Sequence, residues 1–232
     1  MLRGRKASRR RKGTLSKMTA LLAGATGLIG RELVASWTGP GELHLLVRRP
    51  VPTAGAAPQL QRVHVVDFAA LPALPAADEA YCCLGTTIKV AGSPAAFRAV
   101  DFDAVLAFAR AARQAGVQRF AVVSALGASP RSAAFYNRVK GEMEQALAGL
   151  GFPSLVIVRP SLLAGDRASL GQPQRPGERL ALLLTAPLAP LIPKAWRPIA
   201  AATVARAMRR ALAEARPGVR IVESAELQEI GR

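Results

Sequence analysis

Two kinds of pattern alternate along the chain: short unbroken apolar runs, and longer stretches in which apolar residues recur every three or four positions. Residues 19–23 form an apolar run of the kind found in a strand buried on both faces of a parallel sheet. A helical pattern follows from Leu28 to Trp37 and stops at Thr38-Gly39-Pro40-Gly41. Further strands are predicted at Leu43–Val47, Arg62–Val66, Glu79–Leu84, Gln118–Val123, Ser154–Val158 and Val219–Val222. A long helix is predicted from Ser93-Pro94 to Gly116, through Phe97, Val100, Val105, Phe108 and Ala112. Another spans Ala133 to Leu150, its apolar face carried by Phe135, Val139, Met143, Leu147 and Leu150. Thr203 to Ala213 is an amphipathic helix with Arg206, Arg209 and Arg210 on its wet side, and Ser224 is expected to cap a terminal helix through Glu229. This alternation predicts one doubly wound α/β domain over residues 18–232, a mostly parallel sheet of about six or seven strands with helices on both faces.

The chemistry begins where the first strand meets the first helix. Gly24-Ala25-Thr26-Gly27-Leu28-Ile29-Gly30 spaces three glycines G-x-x-G-x-x-G in a strand–turn–helix context. A side chain at either of the first two would keep a pyrophosphate off the backbone, and one at the third would hold the helix off the strand. The helix start then offers free N–H groups to the phosphates, so the stretch predicts a dinucleotide site of Rossmann type. Strand two ends in Arg48-Arg49. An acidic residue there would favour the adenosine ribose hydroxyls, whereas arginine attracts a 2′-phosphate; NADP(H) is therefore expected over NAD(H), with Arg48 the main contact and Arg49 the second. Strand three closes on Asp67-Phe68, where the aspartate either accepts a hydrogen bond from adenine or caps a helix. The fourth strand ends in Leu84-Gly85-Thr86-Thr87, small residues that let a cofactor lie against backbone.

A second constellation is Ser124…Tyr136-x-x-x-Lys140. Reduction of a carbonyl by hydride leaves an alkoxide that needs a proton, and an ordinary tyrosine, with a pKa of about 10, gives or takes one reluctantly. A lysine ammonium one helical turn along favours the phenolate and can hold the nicotinamide ribose, while a serine at the neighbouring strand tip can hydrogen-bond the substrate oxygen. Asp101, inside the long helix, reads as a surface charge or a local hydrogen-bonder.

Together with Cys82-Cys83-Leu84-Gly85-Thr86-Thr87, Val123-Ser124-Ala125, Tyr136-Asn137-Arg138-Val139-Lys140-Gly141-Glu142 and Arg159-Pro160-Ser161, the glycine turn resembles the atypical branch of the short-chain dehydrogenase/reductase superfamily. In particular it is similar to the Tat-interacting-protein-like and NAD(P)H-binding oxidoreductase members. The resemblance runs from Met18 almost to the C-terminus. It implies a Rossmann sheet, Tyr136 as catalytic acid/base, Lys140 as its helper, Ser124 as substrate orienter, and the loop at Pro160-Ser161 near the nicotinamide. The expected function is an NADP(H)-dependent oxidoreductase acting on a carbonyl or alcohol of a small organic molecule. An NADPH-binding regulatory protein with little turnover, or an epimerase using the cofactor transiently, are the alternatives.

Charge changes the picture only at the N-terminus. The formal charge is +17, but residues 1–17 hold eight of the 32 Lys and Arg and no acid, so the remaining 24 basic residues face 15 acidic ones. This segment reads as a disordered basic tail, or as translation from upstream of an initiator at Met18; nucleic-acid binding would rest on it alone. It lacks the apolar core of a secretory signal. Cys82 and Cys83 are neighbours on a strand, point to opposite faces and read as reduced thiols, which suggests a cytoplasmic protein. His44 and His64 read as structural, and the chain lacks the ligands of a standard zinc site. The apolar run Leu180–Pro193 is too short and too broken by proline to span a membrane, which needs roughly 20 residues, and suits a substrate-pocket wall or a partner surface better than a membrane-touching lip; a homo-oligomer or a protein partner is the expected assembly. Gly165 to Arg179 reads as a flap, with Arg175 and Arg179 as solvated charges; substrate-side elements are expected over about residues 160–200.

Overall fold

The computed structural model describes residues 18–39, 41–164 and 193–232. The basic tail, all of the flap and all but the last residue of the apolar run Leu180–Pro193 lie outside the described residues. The elements in chain order are β1 (Ala20–Ala23), α1 (Leu28–Ala35), β2 (Leu43–Val47), β3 (Gln61–Val65), β4 (Glu79–Cys82), α2 (Ile88–Ala91), α3 (Pro94–Arg98), α4 (Ala104–Gln114), β5 (Arg119–Val123), α5 (Phe135–Ala148), β6 (Ser154–Arg159), β7 (Leu163–Ala164), β8 (Ile199–Ala200), α6 (Ala201–Ala213), β9 (Gly218–Glu223) and α7 (Ser224–Ile230). Seven strands form one sheet in the order β3-β2-β1-β4-β5-β6-β9, every neighbouring pair parallel. β7 and β8 make a separate parallel pair. The doubly wound α/β class expected from the pattern is the one observed.

Every residue of β1, β2 and β4 is buried, which is why these strands read as runs rather than as alternating patterns, although β2 buries His44 and β4 buries Glu79. Successive residues still serve opposite faces. Leu22, Leu45, Val156 and Val158 share a core layer with Leu33 of α1, with Trp37, which lies just beyond the end of α1 rather than inside it, and with Val204, Met208 and Leu212 of α6. Leu21, Phe120, Val122 and Ile157 share the other with Phe108 of α4 and Met143 and Leu147 of α5. The chain leaves the β3 edge and re-enters the sheet beside β1 as β4, so the strand order reverses between β1 and β4. Loops following those two strands diverge there and leave a crevice at the carboxyl ends, where open α/β sheets bind ligands.

Two local readings are corrected. The long helix predicted from residue 93 is interrupted: α3 passes through a π-turn at Ala99–Asp103 before α4 continues. Ser93 does cap its start, its hydroxyl accepting from the Ala96 N–H at 3.1 Å. Ser224, expected to cap the last helix, is instead inside its first turn and fully buried, with Glu223 at the cap position. The two histidines face each other across β2 and β3, His44 Nδ1 lying 2.8 Å from His64 Nε2. Among the described residues no three His, Cys, Asp or Glu side chains are grouped to hold a metal, and no helix is long and apolar enough to cross a membrane.

Candidate active site at the carboxyl edge of the sheet

The three glycines of the first turn do different work. Gly24 has φ of +85°, and a Cβ there would lie 2.4 Å from the Cys83 carbonyl carbon, so this glycine seats the turn against the end of β4. That corrects the expectation that it chiefly clears room for a pyrophosphate. At Gly30 a Cβ would meet the Gly24 carbonyl oxygen at 2.1 Å, so α1 rests directly on the turn, as expected of the third glycine. Gly27 alone is open: its nearest neighbours are carbonyl oxygens at 3.5 and 3.9 Å, and it forms part of a cavity wall. A cradle that a methyl group would fill, placed at a helix N-terminus, fits the diphosphate of a dinucleotide.

That cavity has a volume of about 750 Å³ and lies along the carboxyl ends of β1, β4, β5 and β6. Of the residues singled out from the sequence, Gly27, Leu28, Ile29, Leu84, Gly85, Thr86, Ser124, Tyr136, Lys140, Pro160 and Ser161 line it. Thr26 stays in the turn, where its carbonyl accepts from Arg31 Nε at 3.1 Å. Arg48 and Arg49 follow β2 at the same edge of the sheet, exposed and outside the cavity wall. Asp67 turns its carboxylate onto the Ala69 N–H at 2.9 Å within a turn; no helix follows it, so the helix-cap reading is corrected to a local turn contact. Phe68, expected at the cofactor, is instead a core residue in the layer of Leu46 and Leu106, because its ring is buried under the sheet.

Tyr136 and Lys140 stand one turn apart on α5, a helix fixed closely against the preceding loop. A Cβ at Gly141 would meet the Ser129 carbonyl carbon at 2.1 Å, so only glycine permits this approach. The Tyr136 ring packs tilted on Phe97, with centroids 5.3 Å apart. Lys140 is buried, and its Nζ lies 2.7 Å from Asp101 Oδ1. Burial alone would push the ammonium down, but the Asp101 carboxylate, together with the charge of Tyr136, holds it above the ordinary lysine value. Asp101 Oδ2 accepts from the Thr86 N–H at 2.8 Å. A Cβ at Gly85 would come within 3.4 Å of Asp101 Oδ1, so the loop after β4 closes over the ion pair.

The reading of Asp101 as a surface charge is thus overturned. It is buried because the π-turn inserts an extra residue and swings it inward, which a 3.6-residue periodicity does not anticipate. Glu144 and Arg159 were also missed. The Ser124 hydroxyl donates to Glu144, and Arg159 grips the same carboxylate through Nε at 3.0 Å and Nη2 at 2.5 Å. Glu144 falls at Tyr136 plus eight and Lys140 plus four, a helical stripe that could have marked it as inward-facing.

A family model described as NAD(P)H-binding matches residues 24–181. The protein HTATIP2 of Rattus norvegicus is 32% identical over 229 residues, covering 94% of this chain and 91% of that protein. The chain belongs to the atypical short-chain dehydrogenase/reductase family, in its NAD(P)H-binding branch. Another member, the protein FMP52-1, mitochondrial, of Scheffersomyces stipitis, is 33% identical over 65% of this chain and 69% of its own length. Among solved structures, MoeE5 in complex with UDP-glucose and NAD shares the fold with a TM-score of 0.66 at 19% identity, covering 92% of this chain and 80% of that one. The expectation of a cytoplasmic protein is corrected by these relatives: FMP52 proteins from several fungi are named mitochondrial. The inference from cysteine was too narrow, since unpaired Cys82 and Cys83 suit any reducing compartment.

Proposed function

We propose that this short-chain dehydrogenase/reductase is an NADP(H)-dependent oxidoreductase that interconverts a carbonyl and an alcohol on a small, largely apolar organic molecule. The observation that carries the reading is the convergence of Tyr136, Lys140 and Ser124 on the cavity that the open face of Gly27 enters. The diphosphate would lie on Gly27, Leu28 and Ile29, the nicotinamide ribose near Lys140, and the nicotinamide beside Pro160 and Ser161. Arg48, with Arg49 beside it, would pair with a 2′-phosphate. When bound, the nicotinamide supplies or accepts the hydride. The Tyr136 hydroxyl gives a proton to the substrate oxygen in reduction and takes it back in oxidation. Lys140 keeps a positive charge beside that hydroxyl, and Asp101 keeps Lys140 charged inside the protein. Away from these groups the cavity is walled by Ile88, Val90, Leu162 and Trp196, all partly exposed, which favours an apolar substrate body.

The test is consumption of NADPH with a panel of apolar ketones and aldehydes, alongside titration with NADPH and NADH. The reading expects turnover that Tyr136→Phe abolishes while NADPH binding persists. Equal NADPH binding with no turnover by either protein would leave a cofactor-binding regulator instead. Exchange of substrate hydrogen without net NADPH consumption would mark an epimerase.

A further inference from the structure

Ser124 is the first residue after β5 and lies on the cavity wall at 4% exposure. Its hydroxyl has one proton and two lone pairs. The proton is already committed, because the Oγ donates to Glu144 Oε1. Glu144, itself 6% exposed, sits one turn beyond Lys140 on α5. Arg159, at the end of β6, donates from Nε to Glu144 Oε1 at 3.0 Å and from Nη2 to Oε2 at 2.5 Å, and reaches Glu223 of β9 with Nη1 at 2.9 Å. A carboxylate with a guanidinium across both oxygens is held as an acceptor. What remains of Ser124 for the cavity is a pair of lone pairs.

We infer that Glu144 and Arg159 are positioning residues that fix Ser124 as a hydrogen-bond acceptor, so that the resting site recognises a hydroxyl group rather than a carbonyl. The inference rests on the oxidoreductase reading and deepens it by naming the side of the reaction that the ground state favours. An alcohol placed between the two residues accepts from the Tyr136 hydroxyl and donates its own proton to Ser124. A carbonyl oxygen in the same place accepts from Tyr136 but meets a lone pair at Ser124. The polarity of a single hydroxyl, set from behind by a buried carboxylate, therefore separates the two ligands. A merely structural network, tying β5, α5, β6 and β9 together, would not make that distinction.

The experiment uses Glu144→Gln in the full chain. With its amide nitrogen in the place of Oε1 and its carbonyl on Arg159 Nη2, the glutamine gives up the Arg159 Nε contact and donates to Ser124 Oγ, which turns the serine proton into the cavity. Cyclohexanol is titrated into the NADPH-loaded protein and cyclohexanone into the NADP⁺-loaded protein, pairings in which no hydride transfer occurs, with calorimetric detection. The expected result is that Glu144→Gln weakens cyclohexanol and strengthens cyclohexanone, each by about tenfold. Changes of the same sign for both, or of neither, overturn the inference. Neutron diffraction on the wild-type protein decides the matter where neither probe binds or the variant fails to fold. A proton on Ser124 Oγ directed at Glu144 supports the assignment, and one on Glu144 or directed into the cavity overturns it. Failure of the wild-type protein to bind NADPH would sink the oxidoreductase reading while leaving the neutron result to stand by itself.

Discussion

Lys140 Nζ lies 2.7 Å from Asp101 Oδ1, and both side chains are shut away from water, at 3% and 1% exposure. Breaking such a pair from one side leaves an uncompensated buried charge, which costs about 3–5 kcal/mol. Asp101→Asn should therefore lower stability by an amount of that order in denaturant titration. NADPH affinity should fall with it, because Asp101 also holds the Thr86 N–H and so the loop after β4.

The same pair gives a pH signature. The folded pKa of Lys140 lies above the ordinary 10.5, so the stability it contributes is fully present below that value and is lost as pH rises through the higher folded value. In Asp101→Asn the sign reverses. Burial then dominates and depresses the ammonium, so stability should increase as pH rises toward the ordinary lysine value. Thermal melts of both proteins between neutral pH and strongly alkaline pH would show the opposite slopes; parallel slopes would mean the pair is not formed.

Gly24 and Gly27 should fail in different ways. Gly24→Ala places a methyl on the Cys83 backbone at a positive φ and should destabilise the fold by several kcal/mol. Gly27→Ala meets nothing closer than 3.5 Å and should melt close to the parent temperature while losing NADPH binding. Melting curves beside nicotinamide fluorescence titrations separate the two; retained cofactor affinity in Gly27→Ala would remove the diphosphate from this turn.

Arg48 is expected to discriminate between cofactors. Arg48→Ala should weaken NADPH by about ten- to a hundredfold, the worth of a hydrogen bond to a charged group, and leave NADH nearly unchanged. Equal loss of both would place Arg48 outside the cofactor site.

Cys82 should be inert. It is 0% exposed, and burial pushes its thiol up to about 12, so almost no thiolate exists at neutral pH. Iodoacetamide at pH 8 should leave it unmodified until denaturant unfolds the chain, as peptide mapping would show.

Much of the site was visible in the sequence because its parts are local. The glycine turn, the Tyr136–Lys140 spacing and the serine at a strand tip each occupy a few consecutive residues or one helical turn, and the structure gathers them along one edge of the sheet. Asp101 was not visible, since an aspartate between Val100 and Phe102 looks solvent-facing until a π-turn rotates it. Nor was the division of labour among the glycines, which depends on the backbone of β4, nearly 60 residues away in the chain. Arg159 looked like a strand-ending residue, and only its meeting with Glu144 gives it a role.

The periodicity of apolar positions determined the order of strands and helices, because burial on both faces of a parallel sheet demands continuous apolar runs and leaves little freedom in where they fall. The glycine spacing determined that a helix starts abruptly after β1. What the tertiary structure alone decided is which charges are paired in the interior. Lys140 with Asp101, across about 40 residues, and Glu144 with Arg159, between a helix and the strand that follows it, are joined by packing between different elements, and a buried charge is stable only where the fold brings its partner.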